Sequence, residues 1–144
     1  MDSKSKDKVA SNERIVSVID DEIDISHLFR DALCETIEGV KVLTFNDPII
    51  ALEHYTENKS AYALVISDLR MPGLNGLELL KKVKDTNSSV RTMLMSAYLF
   101  SDDKRYQEYI EQGIIDSTID KPVSIQKLCH LVKDELEVYQ LVNS

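Results

Sequence analysis

The sequence feature that most constrains the fold is a short apolar run that ends in an acid, residues 63–68 with the sequence ALVISD. The run is too short for a helix, and the turn-forming pair Pro72-Gly73 follows it, so the pattern predicts a buried β-strand that ends at the sheet edge. In an open α/β sheet, ligands bind in the crevice outside the carboxyl ends of the strands. Asp68, at the end of this strand, is therefore a candidate site residue.

Strand-like and helix-like patterns alternate along the rest of the chain. Such alternation with short connections favours parallel strands joined by right-handed crossovers, with helices on both faces. The predicted fold class is therefore α/β, a doubly wound parallel sheet of five strands flanked by five helices. The predicted strands cover residues 14–19, 41–45, 63–68, 91–95 and a short segment within 114–119 that Asp116 interrupts. The predicted helices cover about 22–37, 49–58, 74–85, 102–112 and 124 onward.

Several single residues carry expectations of their own. Asp47, before a proline, and Ser124 are predicted to cap the second and fifth helices. Leu28 lies at helical spacing among the apolar residues of the first helix, so we expect it to face the core. Cys34 and Cys129 stand far apart without metal-site spacing, so they are expected to be reduced core residues of a cytoplasmic protein.

Length and composition favour one domain that is not attached to nucleic acid or a membrane. The chain has 144 residues, of which 43% are hydrophobic, enough for one core over residues 13–144, while the polar segment 1–12 is predicted to be a flexible tail. The net charge of −8 argues against direct binding to phosphate backbones. No apolar run approaches the roughly 20 residues of a membrane span, and the first residues do not resemble a signal peptide.

The ends of four predicted strands carry polar residues that can form one site. They are Asp20 and Asp21 after the first strand, Asp68 after the third, Ser96 after the fourth and Lys121 after the fifth. Two carboxylates about 4 Å apart repel by about 4 kcal/mol at an effective dielectric constant of about 20, so the acids require a cation. Oxygen ligands favour Mg²⁺, with Mn²⁺ as an alternative, over zinc.

This set of groups suits phosphoryl chemistry. Asp68 is predicted to be the nucleophile that attacks phosphorus and forms an acyl phosphate. The metal and the Lys121 ammonium would neutralise the phosphoryl oxygens, and the Ser96 hydroxyl would donate a hydrogen bond to one of them. Taken alone, an Asp-Asp pair is more often a helix cap than a metal site, so the prediction depends on the whole set.

The order and spacing of Asp20-Asp21, Asp68, Ser96-Ala97 and Lys121-Pro122 resemble the receiver domain of two-component response regulators, over about residues 14–142. The resemblance implies the flavodoxin-like receiver fold and a phosphoryl group transferred to Asp68 from a sensor histidine kinase or a histidine phosphotransfer protein.

The same resemblance implies how the site residues divide their roles. Asp21 and Asp68 would bind Mg²⁺ directly with the backbone carbonyl of Arg70, and Asp20 would act through water. Ser96 and Lys121 would contact the phosphoryl group. The Lys121-Pro122 peptide bond would be cis.

Two residues depart from the family pattern. Three residues before Lys121 the family usually carries Tyr or Phe, which moves inward when the phosphoryl group engages the hydroxyl at the Ser96 position, but this chain has Thr118. We therefore hypothesise that Tyr98 or Phe100 supplies the moving aromatic ring. Arg70, two residues after the acceptor, is expected to lean over the phosphoryl group and alter its hydrolysis rate.

The resulting prediction is a stand-alone, cytoplasmic receiver whose output is a contact with an effector protein. We expect a monomer or a weak homodimer through the last two helices, with no enzymatic activity beyond self-phosphorylation and slow self-dephosphorylation. One alternative is a degenerate receiver that acts as a docking module without phosphate. The other is a small Mg²⁺-dependent phosphatase, whose usual Asp-x-Asp motif is absent because Arg70 stands two residues after Asp68.

Overall fold

A computed structural model describes residues 13–97 and 104–143, and its strands form one parallel sheet in the order β2-β1-β3-β4-β5. The strands are β1 (Arg14–Ile19), β2 (Val40–Phe45), β3 (Tyr62–Asp68), β4 (Arg91–Ser96) and β5 (Ser117–Asp120). The helices are α1 (Ile23–Thr36), α2 (Pro48–Asn58), α3 (Gly76–Thr86), α4 (Lys104–Glu111) and α5 (Ile125–Asn143). The predicted α/β fold class is confirmed, whereas the predicted tail, residues 1–12, lies outside the described residues.

Strand β3 is the centre of the sheet. It pairs with β1 on one side and β4 on the other, and all seven of its residues are buried. Both faces of the sheet are covered, because α2, α3 and α4 pack on one face and α1 and α5 on the other. Burial on both faces explains why the sequence of β3 is a nearly continuous apolar run, without alternation of apolar and polar residues.

Side-chain caps begin the helices where the sequence predicts them. Asp47 Oδ1 accepts a hydrogen bond from the Ile49 amide at 2.9 Å, and Ser124 Oγ accepts one from the Lys127 amide at 3.1 Å. Each cap satisfies one of the amide groups that the first turn leaves without a helical partner. Among the described residues, no helix combines the length and apolar character that a membrane span requires.

Two of the core predictions are wrong. Leu28 is 53% exposed, and Cys34 is also exposed, while Cys129 is buried as expected. Each residue of an α-helix turns about 100° from the one before it. Phe29 and Leu33 face the sheet. Leu28 lies one position before Phe29 and Cys34 one position after Leu33, so both point to the rim or to solvent.

A network of ion pairs holds the amino ends of β4 and β5. Asp116 lies just before β5, and its carboxylate is 2.7 Å from Lys84 Nζ and accepts a hydrogen bond from the Thr92 amide at 2.9 Å. Glu135 of α5 accepts a hydrogen bond from Arg91 Nε at 2.8 Å and another from the Ser117 hydroxyl. Asp116 therefore lies directly before the fifth strand, whereas the sequence suggested that it interrupts that strand.

We expect Glu135→Ala to lower the free energy of unfolding by about 2–3 kcal/mol. The substitution removes one hydrogen-bond acceptor each from the Arg91 guanidinium and the Ser117 hydroxyl, in a largely buried position. Urea denaturation followed by circular dichroism measures the change. The matched control is Asp85→Ala, which removes an exposed ion pair with Lys81 on α3 and is expected to leave the midpoint unchanged. Equal midpoints for the two variants would contradict a stabilising network.

Candidate functional site

The carboxyl ends of the strands bring the predicted site residues together. A cleft of about 270 Å³ lies at this edge of the sheet. It is lined by Asp21, Glu22, Asp68, Arg70, Ser96, Ala97 and Lys121. Asp20 lies beneath it, fully buried at the end of β1. The Lys121 amide donates a hydrogen bond to the Ser96 carbonyl oxygen at 2.9 Å, which holds the ends of β4 and β5 side by side.

Three carboxylates form the acidic part of the site. Asp20, Asp21 and Asp68 each offer an oxygen within 4.8 Å of the others. Asp20 is 0% exposed and Asp68 is 8% exposed, whereas Asp21 faces solvent. Hard oxygen ligands at one point, with an open side toward solvent, suit Mg²⁺ or Mn²⁺. The donor set therefore fits the cation that the sequence predicts.

Lys121 is the cation that faces these acids. Its Nζ atom lies 3.0 Å from Asp20 Oδ2, 3.3 Å from Asp68 Oδ1 and 3.8 Å from Glu22 Oε1. One ammonium group cannot balance the charge of Asp20, Asp21, Asp68 and Glu22. The excess of negative charge is a second reason why the cleft attracts a divalent cation.

The pKa shifts of Asp68 and Lys121 follow from this arrangement. Burial raises the pKa of the Asp68 carboxyl above its ordinary value of 3.8, and the charges of Asp20 and Asp21 raise it further, although Lys121 opposes the shift. Burial alone would lower the pKa of Lys121, but its hydrogen bond to Asp20 and the charges of Asp20 and Asp68 raise it. Lys121 is therefore a permanent cation at neutral pH.

The remaining predicted residues lie on the β4–β5 side of the cleft. Ser96 is 2% exposed at the end of β4, and the Lys121-Pro122 bond is cis, as predicted. Thr118 is half-buried on β5 and is paired in register with Leu94 of β4. The predicted moving rings, Tyr98 and Phe100, lie outside the described residues, so their role stays a prediction.

Two contacts in the site were not anticipated from the sequence. Glu22 approaches Lys121 at the rim, and its amide donates to Asp20 Oδ1 at 3.0 Å. Gly76, at the start of α3, packs against the backbone of Asp68. The position of Glu22 directly after the acid pair was a usable signal, but the Gly76 contact depends on how α3 returns to β3.

A doubly wound parallel sheet thus carries the acid cluster, Lys121 and Ser96 at its carboxyl edge. Residues 16–133 match the family model described as the response regulator receiver domain. The chain belongs to this family.

Similar proteins differ in how much of their length the chain covers. It is 30% identical to sporulation initiation phosphotransferase F of Bacillus subtilis, over 87% of this chain and 94% of that protein. It is 32% identical to the DNA-binding transcriptional regulator NtrC of Salmonella typhimurium, over 88% of this chain but only 25% of that protein. The chain thus spans about a quarter of the length of the NtrC regulators that it matches.

Solved structures confirm the fold. The crystal structure of a response regulator receiver domain protein from Clostridium thermocellum superposes with a TM-score of 0.78 at 25% identity. The match covers 90% of this chain and 98% of that one. Receiver domains as a class bind Mg²⁺ in an acidic pocket and interact with histidine kinases or phosphotransfer proteins.

We expect Asp68→Asn to raise the melting temperature at pH 7 without divalent cations by a few degrees, about 1 kcal/mol. Because the native pKa is raised, the charged carboxylate costs stability above that pKa, and the cost disappears as the pH falls below 3.8. The gain from the substitution should therefore shrink toward pH 3.5 in calorimetric scans. A variant no more stable than the parent at pH 7 would contradict the inferred stability cost of the buried, charged Asp68 carboxylate.

Proposed function

We propose that Asp68 accepts a phosphoryl group from the phosphohistidine of a sensor histidine kinase or a histidine phosphotransfer protein, and that this phosphorelay step alters a contact with an effector protein. The observation that carries the proposal is the Asp68 carboxylate itself, held in an open cleft between the acid cluster and Lys121. Membership of the receiver family supports it.

The transfer exchanges one bond for another. A carboxylate oxygen of Asp68 forms a bond to phosphorus while the bond between phosphorus and the donor imidazole nitrogen breaks, and the leaving imidazole is protonated from solvent. Asp21, Asp68 and the Arg70 carbonyl would hold a divalent cation, with Asp20 acting through water, and the cation would supply positive charge to the phosphoryl oxygens. The protein's part is mainly positioning and charge.

Lys121 and Ser96 supply the remaining donors. The Lys121 ammonium, 3.3 Å from Asp68 Oδ1, is close enough to contact a phosphoryl oxygen once Asp68 is phosphorylated. Its ion pair with Asp20 keeps it in the cleft after Asp68 loses its charge. The Ser96 hydroxyl, at the end of the neighbouring strand, donates to a second phosphoryl oxygen.

The proposed output is a change of protein contact, with no turnover of a small substrate. In this proposal the receiver works without an attached output domain, as a monomer or weak dimer. Thr118 cannot fill the place of the family's inward-moving ring, so we propose Tyr98 or Phe100 as the moving aromatic residue. Docking without phosphate is the outcome that failure of the phosphorylation test would favour.

We predict that incubation with Mg²⁺ and acetyl phosphate adds the mass of one phosphoryl group to the wild-type chain, because Asp68 is an accessible nucleophile beside Lys121. Intact-mass spectrometry measures the adduct. The adduct should disappear with EDTA, and Asp68→Asn should not acquire it.

Two results would overturn the proposal. One is an equal adduct on Asp68→Asn, which would move the acceptor elsewhere. The other is no adduct from either acetyl phosphate or a phosphorylated histidine kinase. Catalytic release of nitrophenol from p-nitrophenyl phosphate would instead favour a phosphatase.

We predict that Arg70→Ala changes the half-life of the Asp68 acyl phosphate at least threefold, because Arg70 lines the same cleft as Asp68. The half-life is measured by intact mass after removal of the donor. Lys82→Ala, on the exposed surface of α3, is the matched control and should keep the parental half-life. Equal half-lives for all three proteins would exclude a role for Arg70.

A further inference from the structure

Gly76 makes an unusually close approach to the proposed phosphoryl acceptor. A Cβ atom added at Gly76 would lie 2.3 Å from the Asp68 carbonyl oxygen, 2.8 Å from Leu94 Cδ1 and 3.0 Å from Leu69 Cα. The nearest of these atoms belongs to the backbone of the central strand, so it cannot move aside without distorting that strand. Only a glycine allows the first residue of α3 to rest on this peptide.

The other glycines of the chain have a different reason to be glycine. Gly39, Gly73 and Gly113 have φ angles of +77°, +90° and +76°, which L-residues rarely adopt. Within the described residues, a Cβ at any of the three would meet no atom closer than 4 Å. Gly76 differs from them, because a side chain at this position would collide with the backbone of Asp68.

The peptide group between Asp68 and Leu69 is held on both of its sides. The Leu69 amide donates to Asp68 Oδ1 at 3.0 Å and to the Met95 carbonyl oxygen at 2.9 Å. The Asp68 carbonyl oxygen accepts a hydrogen bond from Ser67 Oγ at 2.9 Å. The Gly76 amide donates to the Leu69 carbonyl oxygen, which belongs to the next peptide group, at 2.8 Å. The orientation of the Asp68–Leu69 peptide therefore orients the carboxylate oxygen Oδ1.

We propose that Gly76 is a positioning residue for the phosphorylation of Asp68, an inference that rests on the proposed function. By packing α3 against the Asp68–Leu69 peptide, Gly76 sets the direction of the Leu69 amide and hence of Asp68 Oδ1. The same contact anchors the far end of the loop that carries Arg70, whose carbonyl is a proposed cation ligand. A side chain at position 76 rotates the peptide or displaces α3, and Oδ1 then shifts relative to Lys121 Nζ.

The main test compares Gly76→Ala with Gly113→Ala. Both substitutions strain the backbone, but only the first does so against Asp68. We expect Gly76→Ala to lower the rate of phosphorylation by acetyl phosphate at saturating Mg²⁺ at least tenfold below that of Gly113→Ala, since misplacing a reacting group by about 1 Å costs about 100-fold. Rates are measured by intact mass at a temperature where circular dichroism shows both variants folded.

A spectroscopic readout separates positioning from lost stability. The Leu69 amide proton reports the orientation of the Asp68–Leu69 peptide, because it donates to both Asp68 Oδ1 and the Met95 carbonyl oxygen. In ¹H–¹⁵N spectra of the unphosphorylated proteins, its resonance should move in Gly76→Ala and stay in place in Gly113→Ala. A purely structural role for Gly76 would lower stability without moving this resonance in the folded protein.

A milder pair of variants covers the case in which Gly76→Ala does not fold. Asn75 Oδ1 caps α3 by accepting from the Glu78 amide at 2.9 Å, and Ser124 Oγ caps α5 in the same way. Asn75→Ala loosens the turn that contains Gly76, so we expect a rate loss of about threefold or more. Ser124→Ala loosens a helix that begins four residues after Lys121, and we expect it to keep the parental rate.

The outcomes are distinguishable from failure of the proposed function. If wild type gains no phosphoryl group, the proposed function and this inference fall together. If wild type reacts but Gly76→Ala matches Gly113→Ala, or Asn75→Ala matches Ser124→Ala, the positioning role alone is wrong. A slow Gly76→Ala with an unmoved Leu69 resonance would also overturn it.

Discussion

The repulsion among Asp20, Asp21 and Asp68 is the constraint on which the site depends. Their oxygens lie within 4.8 Å of one another, and two of the three residues are almost fully buried. Lys121 compensates part of the charge, at 3.0 Å from Asp20 and 3.3 Å from Asp68. The remaining negative charge suits the cleft to a divalent cation, and in the proposed function that cation and Lys121 would together attract a phosphoryl group.

The rest of the fold holds these charges in place. The fully buried strand β3 supplies the apolar contacts that keep Asp68 at the sheet edge despite the unfavourable charge. At the opposite ends of β4 and β5, the ion pairs of Asp116 and Glu135 bind those strands to α3 and α5. Strands β4 and β5 are thus anchored at their amino ends, and the residues at their carboxyl ends, Ser96 and Lys121, line the cleft.

Local patterns predicted most of the architecture because they depend on nearby residues. The apolar run before Asp68 and the cap at Asp47 are both found where the sequence indicates. The same reasoning failed at Leu28 and Cys34, since apolar spacing marks a broad helical stripe and leaves open which residues at its edge touch the sheet. It also misread Asp116, whose partners come from α3 and β4.

The sequence by itself determined the order of the elements, the fold class and the identity of the charged groups at the strand ends, because strand and helix periodicity and short connections are local properties. Only the tertiary structure decided the distances among those groups, the excess of carboxylates around Lys121 and the close approach of Gly76 to Asp68. These features arise where segments distant in the chain meet, since pKa shifts and packing depend on neighbours in space.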